Sequence, residues 1–308
     1  MEKTLIAAGI GELLFDVLPE GKQLGGAPVN FTFHAKTLGL QAYPVSASGQ
    51  DPDGQDIIEK LKQAGLSTDY IQQIGYPTGT ACVSLDGKGV PDFTITENVA
   101  WDHLQWTDQM RALAEKADVV CFGSLAQRST QTFKFIQQFL SHTKVDCLRI
   151  FDINLRQHYY SRKIIEKSLQ AANVLKLNDD ELTVLQKLLY LPNSPKDALR
   201  VLRNRYELQY IALTRGAKGG VLMDDQTCCD CPGFPTTIID TVGAGDSYTA
   251  VLAYGILHQL PLVRINQLAN QVAAYVCSQA GATPVLPDSL IAEFKQECYS
   301  EHCPDVFL

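Results

Sequence analysis

Short apolar, β-rich runs alternate with amphipathic stretches along nearly the whole chain, and this alternation constrains the fold more than any other feature. The strand-like runs are 4–10 (TLIAAGI), 42–47 (AYPVSA), 80–85 (TACVSL), 118–122 (DVVCF), 148–152 (LRIFD), 173–177 (NVLKL), 209–214 (QYIALT) and 219–223 (GGVLM). Between them lie helical patterns at 28–38, 53–64, 107–116, 129–141, 161–171, 194–205, 248–259 and 265–279. Strand, helix, strand repeated in this way predicts a three-layer α/β/α protein with a mostly parallel central sheet. Several strands are apolar throughout, as strands covered on both faces require. At about 150 residues per domain, the 308 residues, with no internal repeat or low-complexity tract, read as one large domain or two modest ones.

Two stretches break the rhythm. Residues 11–27 and 77–99 read as turn-linked strands without an intervening helix, and LDGKG between TACVS and DFTIT reads as a hairpin loop. Such strands have no place in the parallel sheet. They predict a small β-flap, a lid over the sheet's carboxyl edge, where open α/β sheets bind ligands.

Charge and composition narrow the partners. Thirty-four acidic residues against 26 basic ones leave a net charge of −8, the wrong sign for nucleic acid. No apolar stretch approaches the roughly 20 residues needed to cross a bilayer. The start of the chain has no basic segment followed by a long apolar run and a small-residue cleavage site, so the expected compartment is the cytoplasm. Nine cysteines, an odd number set mostly in apolar segments, fit reduced thiols. Cys228, Cys229 and Cys231 cluster in TCCDCPG, but tetrahedral zinc wants a fourth ligand and none stands near in sequence; a turn is the plainer reading.

Chemistry concentrates in Ile239-Asp240-Thr241-Val242-Gly243-Ala244-Gly245-Asp246-Ser247-Tyr248, which runs into the apolar helical pattern TAVLAYGILHQL. Gly243, Ala244 and Gly245 are small enough for a ligand to approach the backbone where a helix's first N–H groups lack partners. Together these make an anion site suited to phosphate oxygens. Asp246 at its mouth would repel a phosphate, so it is a poor binding residue but a sensible base for an attacking hydroxyl. The competing reading is a helix N-cap. Other phosphate motifs are missing: there is no G-x-x-x-x-G-K-[ST], and Gly9 and Gly11 lack the third glycine of a dinucleotide fingerprint because position 14 is Leu. A nicotinamide-dependent oxidoreductase is thereby disfavoured.

DTVGAGDSY resembles the carboxyl-terminal signature DT-x-G-A-G-D of the ribokinase-like (PfkB) carbohydrate kinases. Gly25-Gly26-Ala27-Pro28-Val29-Asn30 is similar to their G-G-x-x-x-N, Asn178-Asp179-Asp180-Glu181 to N-x-x-E, and Thr214-Arg215-Gly216-Ala217-Lys218-Gly219 to the T-x-G-x-x-G nucleotide loop. The four motifs stand in the family's order from residue 25 to 246. GGAPVN and Phe151-Asp152-Ile153-Asn154-Leu155-Arg156 are most similar to fructokinases.

The resemblance implies roles. Asp246 would be the general base, and the amides of Gly243, Ala244, Gly245 and Asp246 would stabilise the transferred phosphoryl group. Asp16, Gly26 and Asn30 would grip sugar hydroxyls, with Arg156 nearby; the alternative for Asn30 is a cap for the helix at 31–38. ATP would lie against Asn178, Thr214, Gly216, Gly219, Asn270 and Ala274, with Cys277 on the same late helix, although an apolar helical stripe is more often core. Glu181 would reach Mg²⁺ through water; as a bare i, i+3 pair with Asn178 it would otherwise be a solvated face. Asp240, with backbone carbonyls of Val242, Val276, Gln279 and Gly281, would hold K⁺.

The substrates implied are ATP and a small sugar. Fructokinases of this kind carry a basic residue at the end of the flap, in a pattern like F-x-F-Y-R; here the run is Phe93-Thr94-Ile95-Thr96-Glu97-Asn98. Glu97 in place of a cation argues against a carboxylated substrate, which wants a cationic clamp. Arg156 could supply one guanidinium, bind phosphate, or pair with Asp152. Fructose leads, with ribose, a nucleoside and 2-keto-3-deoxygluconate behind it. A sugar- or nucleotide-binding regulator would need a damaged base or anion loop, and both are intact. Flap faces in such kinases pair into homodimers, which leaves a dimer through the lid open.

Overall fold

The computed structural model describes residues 4–19, 21–85 and 91–300. The chain opens with β1 (Ile6–Ile10), β2 (Leu14–Leu18), β3 (Gly21–Gly25), α1 (Ala27–Thr37), β4 (Gln41–Gly49), α2 (Pro52–Gln63) and β5 (Ile71–Ile74). Then come β6 (Gly79–Leu85), β7 (Pro91–Ile95), α3 (Asp108–Lys116), β8 (Val119–Phe122), α4 (Thr130–Ser141), β9 (Leu148–Asp152) and α5 (Arg162–Ala171). The last part holds β10 (Val174–Asn178), α6 (Asp179–Leu188), α7 (Pro195–Tyr206), β11 (Tyr210–Thr214), β12 (Gly220–Met223), β13 (Cys228–Cys231), α8 (Ala244–Leu257), α9 (Leu262–Cys277) and α10 (Asp288–Ser300).

Nine strands form one sheet in the order β13-β12-β11-β10-β9-β8-β1-β4-β5. Every pair from β5 to β11 is parallel, and β12 and β13 add an antiparallel edge. The two-residue period of the strands deals neighbouring side chains to opposite faces. Ala8, Val120, Phe151, Leu175 and Ile211 face a core shared with α3 to α7. Ala7, Val119, Ile150, Val174 and Ala212 face one shared with α1, α8, α9 and α10. The expected three layers are present. Serine, threonine and aspartate oxygens start many of the helices: Asp51 bonds the Gly54 amide at α2, and Thr107, Ser129, Ser161 and Ser194 do the same at α3, α4, α5 and α7.

The two irregular stretches build a second sheet, β3-β2-β6-β7, in which β2 pairs parallel with β6 and the outer pairs are antiparallel. It is entered directly from the carboxyl ends of β1 and β5 and packs Leu13 and Phe15 against Val29, Ile57 and Leu61. The turn expected within LDGKG falls at 86–90, outside the described residues.

Some expectations need correcting. The helix expected at 248–259 begins at Ala244, so its whole first turn is the GAGD run. Helices α6 and α10 and strand β5 were not expected. The TCCDCPG cluster is not a turn: Cys228 to Cys231 form edge strand β13, where pairing with β12 outweighs the weak strand signal of cysteine and aspartate. Cys82, Cys121, Cys147, Cys228, Cys229, Cys231 and Cys277 are free thiols, and among the described residues no group of His, Cys, Asp or Glu is placed to hold a metal ion. No helix there is long and apolar enough to cross a membrane.

Candidate active site

The site assembles around the start of α8. Gly243 is its N-cap, in the left-handed region at φ 79°, and no side chain caps the helix. A Cβ on Gly243 would sit 2.3 Å from the Ala282 carbonyl oxygen, so glycine is required there on both counts. Among the described residues the amides of Gly245 and Asp246 have no hydrogen-bond partner, and they belong to the positive end of the helix dipole.

Asp246 stands third in this helix and caps nothing. Its Oδ2 instead accepts a 2.8 Å hydrogen bond from Asn30 Nδ2. The residue is partly open to solvent, and its carboxyl group is hemmed in by protein. Burial and the nearby Asp152 charge raise its pKa to about 6, against the pull of Asn30, Lys176 and Arg156. An acid tuned toward neutrality and reachable from outside is suited to accepting a proton.

Asn30 does not cap a helix at 31–38, because α1 already begins at Ala27 behind the N-cap Gly26. It lies inside α1, 4% exposed, donating to Asp246 while its Oδ1 is buried without a partner. The preceding glycines are pinned by close approach. A Cβ on Gly25 would meet Asp16 Oδ2 at 2.3 Å, and one on Gly26, where φ is 120°, would meet the Glu12 carbonyl oxygen at the same distance. The Asp16 carboxyl is pushed up by burial; Arg156 opposes that and Asp240 adds to it. Arg156 is exposed, bonds its neighbour Leu155's carbonyl at 3.1 Å, and attracts Glu12, Asp16 and Asp246 alike. It does not pair with Asp152, whose Oδ1 accepts from Lys176 Nζ at 3.0 Å and whose Oδ2 accepts from Thr249 Oγ1 at 2.8 Å.

At the carboxyl end of β10, Asn178 caps α6. Its Oδ1 accepts the Glu181 amide at 2.8 Å, and Glu181 Oε2 accepts the Asn178 amide at 2.8 Å. Glu181 Oε1 takes the Leu155 amide at 3.0 Å. The pair is therefore a buried capping box and not a solvated face. Thr214 ends β11, with its Oγ1 3.4 Å from the Leu177 carbonyl. Gly216 and Gly219 then turn the chain at φ 53° and 83°, and a Cβ on Gly219 would strike the Cys231 carbonyl. Asn270, 8% exposed, donates to Asn266, which itself bonds the Gly220 carbonyl and Tyr248. Ala274 lies one turn further along α9, half-buried. The nucleotide-motif residues thus border β11, β12 and α9, and the sugar-motif residues border β2 and α1.

The pfkB family carbohydrate kinase model matches residues 17–289. The chain belongs to the pfkB family of carbohydrate kinases. PH1459 of Pyrococcus horikoshii, an uncharacterized sugar kinase, is 30% identical over 295 residues, 89% of this chain and 91% of its own. Its crystal structure superposes with a TM-score of 0.80, covering 96% of this chain and all of the other. An Escherichia coli fructokinase is 25% identical over 313 residues, covering 90% of this chain and 95% of the enzyme. A Vibrio cholerae fructokinase solved with fructose, ADP and potassium shares the fold at a TM-score of 0.80 and 21% identity, over 96% and 99% of the two chains. The protein is thus a ribokinase-like sugar kinase, a phosphotransferase with an alcohol group as acceptor.

In this pfkB kinase the metal-motif residues offer hard oxygen donors. Glu181's two oxygens each hold one backbone amide, and a carboxylate retains further lone pairs for a water that a magnesium ion would carry. Asp240 accepts the Val242 amide at 3.0 Å and the Gly281 amide at 3.1 Å, which draws together two of the segments named for a monovalent cation. Glu12 and Lys176 also stand in the site, outside the four motifs. Glu12 is 3% exposed, accepts the Ala27 amide at 3.3 Å, leaves Oε2 buried without a partner, and is pushed up to about 7 by burial. Each had a signal: an acid directly after a buried strand, and a lysine between Leu175 and Leu177 in an apolar one.

Proposed function

We propose that this kinase transfers the γ-phosphoryl group of ATP to a primary hydroxyl of a neutral sugar, most simply fructose. One observation carries the reading: Asp246, partly reachable from solvent and raised to about 6, stands beside the unpartnered amides of Gly245 and Asp246. The sugar hydroxyl gives its proton to Asp246 while its oxygen attacks the γ-phosphorus, the bond to the bridging oxygen breaks and ADP leaves with that oxygen, and the amides of Gly243 to Asp246 stabilise the charge on the transferred group. Asp16, Gly26 and Asn30 orient the sugar; Asn30 also fixes the base. Asn178, Thr214, Gly216 and Gly219 border the ATP phosphates, with Asn270 and Ala274 beside the base. Magnesium, held through water by Glu181, would neutralise phosphate charge, and K⁺ at Asp240, Val242 and Gly281 would support the anion loop. A cytoplasmic setting, with its ATP and reduced thiols, fits this chemistry.

Neutrality of the acceptor follows from charge. Glu12, Asp16 and Asp246 face the site; the Arg156 guanidinium opposes them from the surface, and the buried Lys176 ammonium is already paired with Asp152. Glu97 at the flap end is engaged by Tyr159 Oη at 2.8 Å. A carboxylated sugar acid would meet more repulsion than attraction there. The exposed fork of Arg156 is the feature that favours the second reading, 2-keto-3-deoxygluconate. A sugar panel with coupled ADP release decides: fructose should give the highest kcat/KM, and preference for the keto acid would replace it.

The small sheet β3-β2-β6-β7 is the lid in this reading, excluding water that would otherwise hydrolyse ATP. Hydrogen exchange across 11–27 and 77–99 should slow when sugar binds. Identical exchange with and without sugar would remove the lid.

A further inference from the structure

Lys176 is a charged side chain in the middle of a buried strand, and none of the roles above uses it. It is 6% exposed. Its Nζ is held by Asp152 at 3.0 Å, Asp152 is held in turn by Thr249 at 2.8 Å, and Thr249 also bonds the Gly245 carbonyl at 3.0 Å. This network ends against the first turn of α8: a Cβ on Gly245 would lie 2.9 Å from Lys176 Nζ. The bare Gly245 is thus what lets a buried ammonium reach the helix start that carries Asp246. Burying an ammonium is costly unless it is paired, and a strand position filled by leucine would avoid the cost.

We infer that Lys176 is a positioning residue for phosphoryl transfer, supplying the counter-charge to Asp246 from beneath the first turn of α8. The inference rests on the reading of Asp246 as base. The groups that act on Asp246 come from several elements: Asp152 on β9, Lys176 on β10, Arg156 in the loop after β9 and the Asn30 amide on α1. Glu12 after β1, Glu181 at the start of α6 and the Cys121 thiol on β8 complete the cluster. Among the described residues in it, Lys176 is the buried cation, because Arg156 is exposed and solvent screens it. Asp152 alone would favour the proton on Asp246; the Lys176 charge acts on Asp246 in the opposite sense and offsets that repulsion. Asp152 therefore has two effects of opposite sign: it fixes the lysine, and it opposes ionisation of the base.

The test is the pH dependence of kcat/KM for the acceptor sugar, whose acid limb reports the base in the free enzyme. Lys176→Met should move that limb up by about one unit or more, since an adjacent opposite charge is worth that much. Asp152→Asn, which removes an anion and keeps the ammonium, should move it down. A structural role would lower activity or stability without moving the limb in opposite directions. Lys176→Met with an unmoved limb, or both variants shifting the same way, overturns the inference. Should Lys176→Met not fold, Lys176→Gln and Asp152→Asn carry the same test. Asp246→Asn separates the two readings: near-normal kcat in that variant rejects the base, whereas a dead Asp246→Asn beside unmoved limbs rejects only Lys176.

Discussion

Two helix N-termini, those of α6 and α8, put the same physics to different ends. Both helices carry an acid at the third position, Glu181 in one and Asp246 in the other. At α6 the acid turns back onto the Asn178 amide, Asn178 covers the Glu181 amide, and the terminus is closed by its own side chains. At α8 the cap is Gly243, which has no side chain to offer, and the shorter aspartate points away to Asn30. One methylene and one glycine separate a sealed helix start from one whose amides remain available to a ligand. The difference teaches that an acidic first turn does not distinguish binding from stability; what the acid bonds does.

Three measurements sharpen or break this contrast. The largest effect belongs to Asp246→Asn, which should lower kcat by about 10²–10⁴ with the fold intact, as loss of a general base does. Near-normal turnover would make α8 as structural as α6. Next, Gly243→Ala forces a Cβ toward the Ala282 carbonyl and strains a left-handed backbone. Misplacing the amides should cost roughly 10²-fold in kcat, with sugar KM little altered. The smallest is Asn178→Ala, which should lower unfolding free energy by about 1 kcal/mol through loss of the cap. Unchanged stability with a raised ATP KM would show that α6 also presents its terminus to a ligand.

Much of this was legible in the residues. Period and apolarity gave the parallel sheet, since strands such as VVCF are buried on both faces and admit little else. The GAGD run marked an open helix start, because Gly243 must adopt a backbone that other residues resist. Helix α6 was hidden: its capping signals, Asn178 and Glu181, look the same as a metal pair in sequence, and the helix start shows only in their mutual bonds. Edge strand β13 was hidden too, because cysteine and aspartate carry little strand preference and its partner β12 supplies the order. Glu12 and Lys176 were missed because what buries them, the α1 start and the α8 first turn, comes from distant parts of the chain.

The small sheet draws its four strands from two separate excursions of the chain, stitched by the parallel pair β2 and β6. A parallel pair cannot close through a tight turn. Anyone hoping to transplant this small sheet onto another protein would have to graft two inserts at once, spaced as they are here and in matching register. Either piece on its own would arrive as an unfinished edge.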